Sequence, residues 1–154
     1  MISPTEITTL PAQPTAMIAM EIPASEIRQA MGAGIGELHA ALKTQGIAQT
    51  GPWFTHHRRP PGDSFDFEIH LPIASPVAET GRVRPGERPE IEVARTVYSG
   101  GYEGLGSAWG QFLSVLVAQG IRTTPDLWEV YTTGPESGPD ATAYRTELIK
   151  PIAE

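Results

Sequence analysis

The chain repeats itself, and that repetition limits its fold more than any other feature of the sequence. With Gln45-Gly46-Ile47 placed over Gln119-Gly120-Ile121, Met31 falls on Leu105, Ile35 on Trp109, Leu38 on Phe112 and Leu42 on Leu116. Gly32 and Gly36 fall on Gly106 and Gly110. Apolar steps of four, three and four residues trace one stripe of an amphipathic helix. A glycine closes each stripe, as the left-handed turn beyond a helix terminus favours. The pattern predicts helices near 25–45 and 102–119. The shared internal glycines predict close approach of each helix to a sheet, because glycine otherwise costs a helix roughly 1 kcal/mol.

The match continues on either side. Aromatic segments at 51–58 and 126–133 follow the helices. Each leads to a turn, Pro60-Pro61-Gly62-Asp63 in one copy and Gly134-Pro135 through Gly138-Pro139 in the other. Both copies end on Pro-Ile-Ala, at Pro72 and at Pro151. Segments 15–22 and 90–98 have the apolar, β-branched character of leading strands. Residues 75–89, rich in Pro, Gly and charge, read as a connector. The fold class expected is α+β: one domain over 1–154, built as a tandem pseudo-symmetric β-α-β-β repeat with units at about 8–74 and 88–153. Each unit carries an antiparallel sheet and one long helix, and a pocket is expected at the seam between them.

Composition narrows the chemistry. The chain has no cysteine, so disulfides, thiolate metal sites and cysteine nucleophiles are excluded. A net charge of −7 argues against a nucleic-acid face, which needs clustered Lys and Arg. Arg58-Arg59 is the one basic cluster, and it precedes a turn. Apolar runs are too short for a membrane span and no signal-peptide pattern is present, so a cytoplasmic protein is the default expectation. The first helical stripe begins by residue 27, which leaves no DNA-binding segment ahead of it and suggests a domain acting alone. No phosphate loop or nucleophile elbow is found, and Gly100 through Gly106 reads as a helix start rather than a dinucleotide site. His56 and His57 are adjacent, and with His39 and His70 scattered, no metal spacing emerges. No cofactor is expected; a small organic ligand is, on a monomer or weak dimer.

Function is to be sought where the copies stop matching. Trp53 over Trp128 sets Phe54 against Glu129 and His56 against Tyr131. Glu129 is then an acid inside an aromatic strand. Alternation puts Leu127, Glu129 and Tyr131 on one face and Trp128 with Val130 on the other. The bulky Trp128 and Val130 suit the helix side, which would turn Glu129 and Tyr131 into the cleft. There a carboxylate could pair with a cation or deliver a proton. Alternatively, Glu129 sits at a strand edge in water or pairs with Arg145 across the hairpin. Trp53, Phe65, Phe67 and Tyr144 serve equally as core or as pocket walls.

The sequence resembles the GyrI-like, or effector-binding, domains found alone and as sensing modules of bacterial transcription regulators. Tyr98-Ser99-Gly100-Gly101-Tyr102-Glu103 leads into a helix carrying Leu105 and Trp109. Trp128-Glu129-Val130-Tyr131, Pro135, Thr146-Glu147-Leu148 and Pro151-Ile152 follow. Phe65 through Ile69, leading to Pro72-Ile73, supplies the corresponding hairpin of the first unit. The resemblance runs from about residue 8 onward. It implies a groove between two units with a glutamate that meets cationic or polarised ligands, a role that falls on Glu129, and an aromatic wall at Tyr144. The family's helix often opens His-Gly-x-Tyr; Ser99 stands at the histidine position here, so any role of that imidazole is lost.

Three functions fit these features. One is a binding module for flat, apolar, often cationic molecules, with Glu129, Tyr131, Tyr144, Phe54, His56, Trp53, Phe65, Phe67, Tyr102 and Trp109 as candidate ligand contacts. The second is a hydrolase of strained cyclopropane-type electrophiles, an activity the resemblance implies, with Glu129 placing a water or exchanging a proton and Tyr131 or Tyr144 orienting the water or stabilising developing charge. The third is an inhibitor that binds a DNA-handling enzyme, which a modest and dispersed negative charge favours least. Haem, known in distant relatives, would need His56 in the cleft.

Overall fold

The computed structural model describes residues 2–60, 62–134, 138 and 140–153. Its elements are β1 (Glu6–Leu10), β2 (Gln13–Pro23), α1 (Ile27–Gln45), β3 (Phe54–His57), β4 (Ser64–Pro72) and β5 (Arg84–Arg88). They continue with β6 (Ile91–Ser99), α2 (Leu105–Ala118), β7 (Leu127–Thr133) and β8 (Arg145–Pro151). The eight strands form a single sheet in the order β1-β6-β8-β7-β3-β4-β2-β5. Every pairing is antiparallel. Among the described residues, no helix is long and apolar enough to cross a membrane.

Both helices stop as their glycines predict. Gly46 (φ 67°) and Gly120 (φ 69°) take the left-handed conformation. The next residues, Ile47 and Ile121, then donate back to the Leu42 and Leu116 carbonyls and satisfy orphan acceptors. Matching hydrogen bonds recur farther on. Thr50 N binds Pro72 O as Thr124 N binds Pro151 O, and Ala74 N binds Ala48 O as Ala153 N binds Arg122 O.

The predicted close approach of the shared glycines does not occur. A Cβ at Gly32, Gly36, Gly106 or Gly110 would meet nothing within 4 Å. The tight contact is at Gly34 instead, where a Cβ would lie 2.7 Å from Ile69 Cδ1 and 2.9 Å from Met20 Cε. Two strands also lie outside the predicted ones. β1 is separate from β2 and pairs with β6, and β5 lies within the segment expected to be only a connector. The turn residues Pro61, Pro135 and Pro139 fall outside the described residues.

Register fixes which face each residue takes. Ile18, Ile69, Thr55, Glu129, Leu148 and Thr96 form one continuous cross-strand row. At one end of it Ile18 and Ile69 pack with Leu38 and Leu42 of α1. Toward the other end Leu148 packs with Trp109, Phe112 and Leu116 of α2. Both helices therefore cover the same face, and the row turns polar where β3 meets β7. The back face holds a third buried cluster of Leu10, Phe54, Val93, Trp128, Val130 and Ile149. Trp128 and Val130 thus lie away from the helices, opposite to expectation. The β7 irregularity falls between Tyr131 and Thr133, beyond these residues, so a bulge did not cause the reversal. Both faces of β7 are buried, and apolar bulk alone could not tell them apart.

Candidate functional site

Glu129 stands at the middle of the helix face, opposite Thr55, and is 8% exposed. It is neither in water nor paired with Arg145, whose guanidinium donates to the Thr142 and Tyr144 carbonyls. Trp109 Nε1 donates to one Glu129 oxygen at 2.7 Å, and the Tyr131 hydroxyl to the other at 2.5 Å. Thr55 Oγ1 lies 2.9 Å from that hydroxyl and completes the chain. Burial first, then the Glu129 charge, pushes the Tyr131 phenol well above its ordinary 10. Tyr131 is thus held as a proton donor toward the carboxylate. Among the described residues no Lys, Arg or His forms an ion pair with Glu129. A carboxylate accepts about four hydrogen bonds, so two protein donors leave acceptor capacity for a ligand.

Aromatic rings extend from this centre. Trp53 stacks on Tyr131 with centroids 4.1 Å apart. Tyr102 meets Tyr131 edge-on at 6.0 Å and Tyr144 at 5.5 Å. The α2 start that presents Tyr102 is packed around Tyr98, whose hydroxyl donates to the Gly101 carbonyl at 2.8 Å. A Cβ at Gly104 would lie 2.1 Å from that hydroxyl, so only glycine fits there. The sequence run 98–104 is therefore a packing device that delivers Tyr102.

The remaining candidates divide between regions. Phe65 and Phe67 belong to the α1 half, Phe67 fully buried and Phe65 edge-on to it. Phe54 and His56 lie on the back face and do not join Glu129. Phe54 packs in the third cluster. His56 stacks on Trp128 at 3.9 Å and binds both Glu68 (3.1 Å) and Asp126 (2.8 Å). Burial lowers the His56 pKa, but its two carboxylates outweigh that and raise it overall. Sequence reasoning missed His57 and Thr55, the front-facing residues of the same strand. His57 is buried, stacks on Phe67 at 5.3 Å and leaves Nδ1 without a partner. Burial lowers its pKa, against the pull of the Glu129 charge. Matching Trp53 to Trp128 sets Phe54 against Glu129, whereas strand pairing sets Thr55 there, so only the pairing reveals Thr55. Among the described residues, no group of three His, Asp or Glu side chains is arranged to hold a metal.

A family model described as the GyrI-like small molecule binding domain matches residues 3–153. Among solved structures, the C-terminal domain of EcmrR superposes with a TM-score of 0.84 at 18% identity, covering 98% of each chain. In the EcmrR–DNA complex the TM-score is 0.85 at 18% identity, over 98% of this chain but 57% of EcmrR. SAV2435, solved bound to tetraphenylphosphonium, gives 0.66 at 8% identity over 98% of this chain and 94% of its own. A hydrolase from Listeria innocua gives 0.69 at 11% identity over 97% and 91%. At such identities these likenesses concern the fold. No protein of curated function matches.

Proposed function

Because the chain belongs to the GyrI-like family of small-molecule-binding domains, we propose that it is a receptor for apolar aromatic cations, held at Glu129 in a cleft between two β-α-β-β units. The observation that carries this reading is a buried carboxylate held by Trp109 and Tyr131, with Trp53 stacked on Tyr131 and no ion-paired cation among the described residues. An unpaired desolvated charge is costly, so a cationic guest offsets what the protein leaves uncompensated. A charge over an aromatic face adds about 0.5–2 kcal/mol. The two-unit reading draws support from the hydrogen bonds that recur after α1 and α2. The choice of a cation draws support from SAV2435, whose bound tetraphenylphosphonium is an aromatic cation.

Fluorescence titration with acridine orange tests it. Saturable binding that weakens tenfold or more in Glu129→Gln is the expected result, about 1.4 kcal/mol. Equal binding by both proteins, or none by either, would overturn the assignment.

A second reading, hydrolysis of strained cyclopropane-type electrophiles, is favoured by the 2.5 Å Tyr131–Glu129 contact, which puts a carboxylate and a hydroxyl side by side. Glu129 would take a proton from water as its oxygen bonds to one ring carbon and the strained C–C bond breaks, then pass that proton to the other carbon, while Tyr131 orients the water. Single-turnover assays of Tyr131→Phe separate the readings: loss of turnover with dye affinity retained marks an enzyme.

A further inference from the structure

On the back face, directly behind the Glu129 site, lies a hollow of about 250 Å³. Phe54, Val130 and Ile149, all buried, supply apolar wall, and Arg88 and Arg95 reach it from β5 and β6. The two arginines differ in their partners. Arg95 binds Glu6 at 2.5 Å and Glu147 at 3.4 Å, so its charge is met within the protein. Arg88 has no carboxylate within ion-pair distance among the described residues. Its guanidinium lies 5.5 Å from the Phe54 ring centroid, and among the described residues its one hydrogen bond is a 3.3 Å contact from Nη2 to the Pro11 carbonyl. Its Nε is buried without any partner. Glu147 also lines the hollow and its charge reaches Arg88, but its ion pair is with Arg95.

We propose that this hollow is a second binding site, for a small organic anion with a flat apolar body. Arg88 supplies a planar set of donors that matches a carboxylate. Half-buried and unpaired, it gains more from such an anion than a solvated arginine would. The aromatic or aliphatic body of the ligand lies against Phe54, Val130 and Ile149. The limited volume restricts the guest to about the size of a bicyclic aromatic acid. Because the hollow touches neither Glu129 nor Tyr131, this site stands or falls independently of the cation site.

Calorimetric titration with 2-naphthoate on the whole chain is the test, with 2-naphthamide as the uncharged comparison. Saturable binding of the acid but not the amide is expected, at least tenfold weaker in Arg88→Met and within threefold of wild type in Glu129→Gln. Absence of saturable binding to wild type would overturn the proposal, as would Arg88→Met binding like wild type. Loss of naphthoate binding in Glu129→Gln would also overturn it, by placing the acid on the helix face. Should circular dichroism show Arg88→Met unfolded, Arg88→Lys takes its place, because it keeps the charge and loses the fork. Weakening of threefold or more is then expected, and unchanged affinity counts against the site.

Discussion

The two faces of the β3–β7 seam are one residue apart along each strand and differ in almost every property. On the helix face, Thr55 and Glu129 stand opposite each other and build a polar chain with Tyr131 and Trp109. On the back face, Phe54 and Val130 stand opposite each other within an apolar cluster. Among the described residues, the helix face holds a carboxylate, Glu129, that forms no ion pair, and the back face an arginine, Arg88, that forms none. A strand's period of two allows this: neighbouring side chains are insulated by the backbone between them. One face of a strand can therefore carry polar chemistry while the other keeps the core intact.

The strongest test of that division is Phe54→Ala. It should destabilise the protein by about 3–5 kcal/mol in urea denaturation, the usual cost of emptying a buried aromatic site. Acridine orange affinity of the remaining folded protein should be unchanged; a loss of affinity would mean the faces are coupled. Tyr131→Phe should cost less, about 1–3 kcal/mol, because Glu129 loses one of two buried donors. It should leave naphthoate binding intact.

Titration sharpens the contrast further, because His56 and His57 respond to pH in opposite senses. His56 has a folded pKa raised above 6.5. Its contribution is complete below about pH 6.5 and is lost as pH rises through the folded value. Burial pushes its partners Glu68 and Asp126 upward, but hydrogen bonds led by His56 hold both below their ordinary values of 4.5 and 3.8. Their share is therefore lost only in stronger acid. His57 is lowered instead, so acid below pH 6.5 weakens the fold through it. In stability-against-pH profiles, the difference between wild type and His56→Gln should shrink above pH 6.5 from roughly 1–2 kcal/mol. The corresponding difference for His57→Phe should grow in the other direction as pH falls. The smallest effect belongs away from both faces. Gly36→Ala meets no neighbour and should stabilise α1 by up to about 1 kcal/mol, visible as a raised Tm.

Much of this was legible in the sequence because it depends on local rules. Helix ends at Gly46 and Gly120 follow from the left-handed turn, and the apolar stripes of α1 and α2 from their periodicity. Glu129 stood out as an acid in an aromatic strand. What was illegible depends on tertiary choices. Trp128 and Glu129 are both buried, so alternation names two faces without saying which meets the helices. β5 is an edge strand with Pro85 and Gly86 inside it and mostly exposed residues, the composition of a loop. Gly34 has Ala108 as its counterpart, so the internal match carries no sign of its close packing.

The placement of β1 and β5 carries a consequence of its own. β1 precedes β2 in the chain yet pairs with β6, while β5 precedes β6 and pairs with β2. Each arm thus finishes the sheet edge of the opposite half, the arrangement that two subunits adopt when they exchange segments. Contacts such as Glu6 with Arg95 must close a loop of more than half the chain before they form. Folding should accordingly be slow and all-or-none, with neither half reaching its final form before the other. Limited proteolysis between residues 75 and 83 would then release no stable fragment, because each piece would carry away the strand its partner needs.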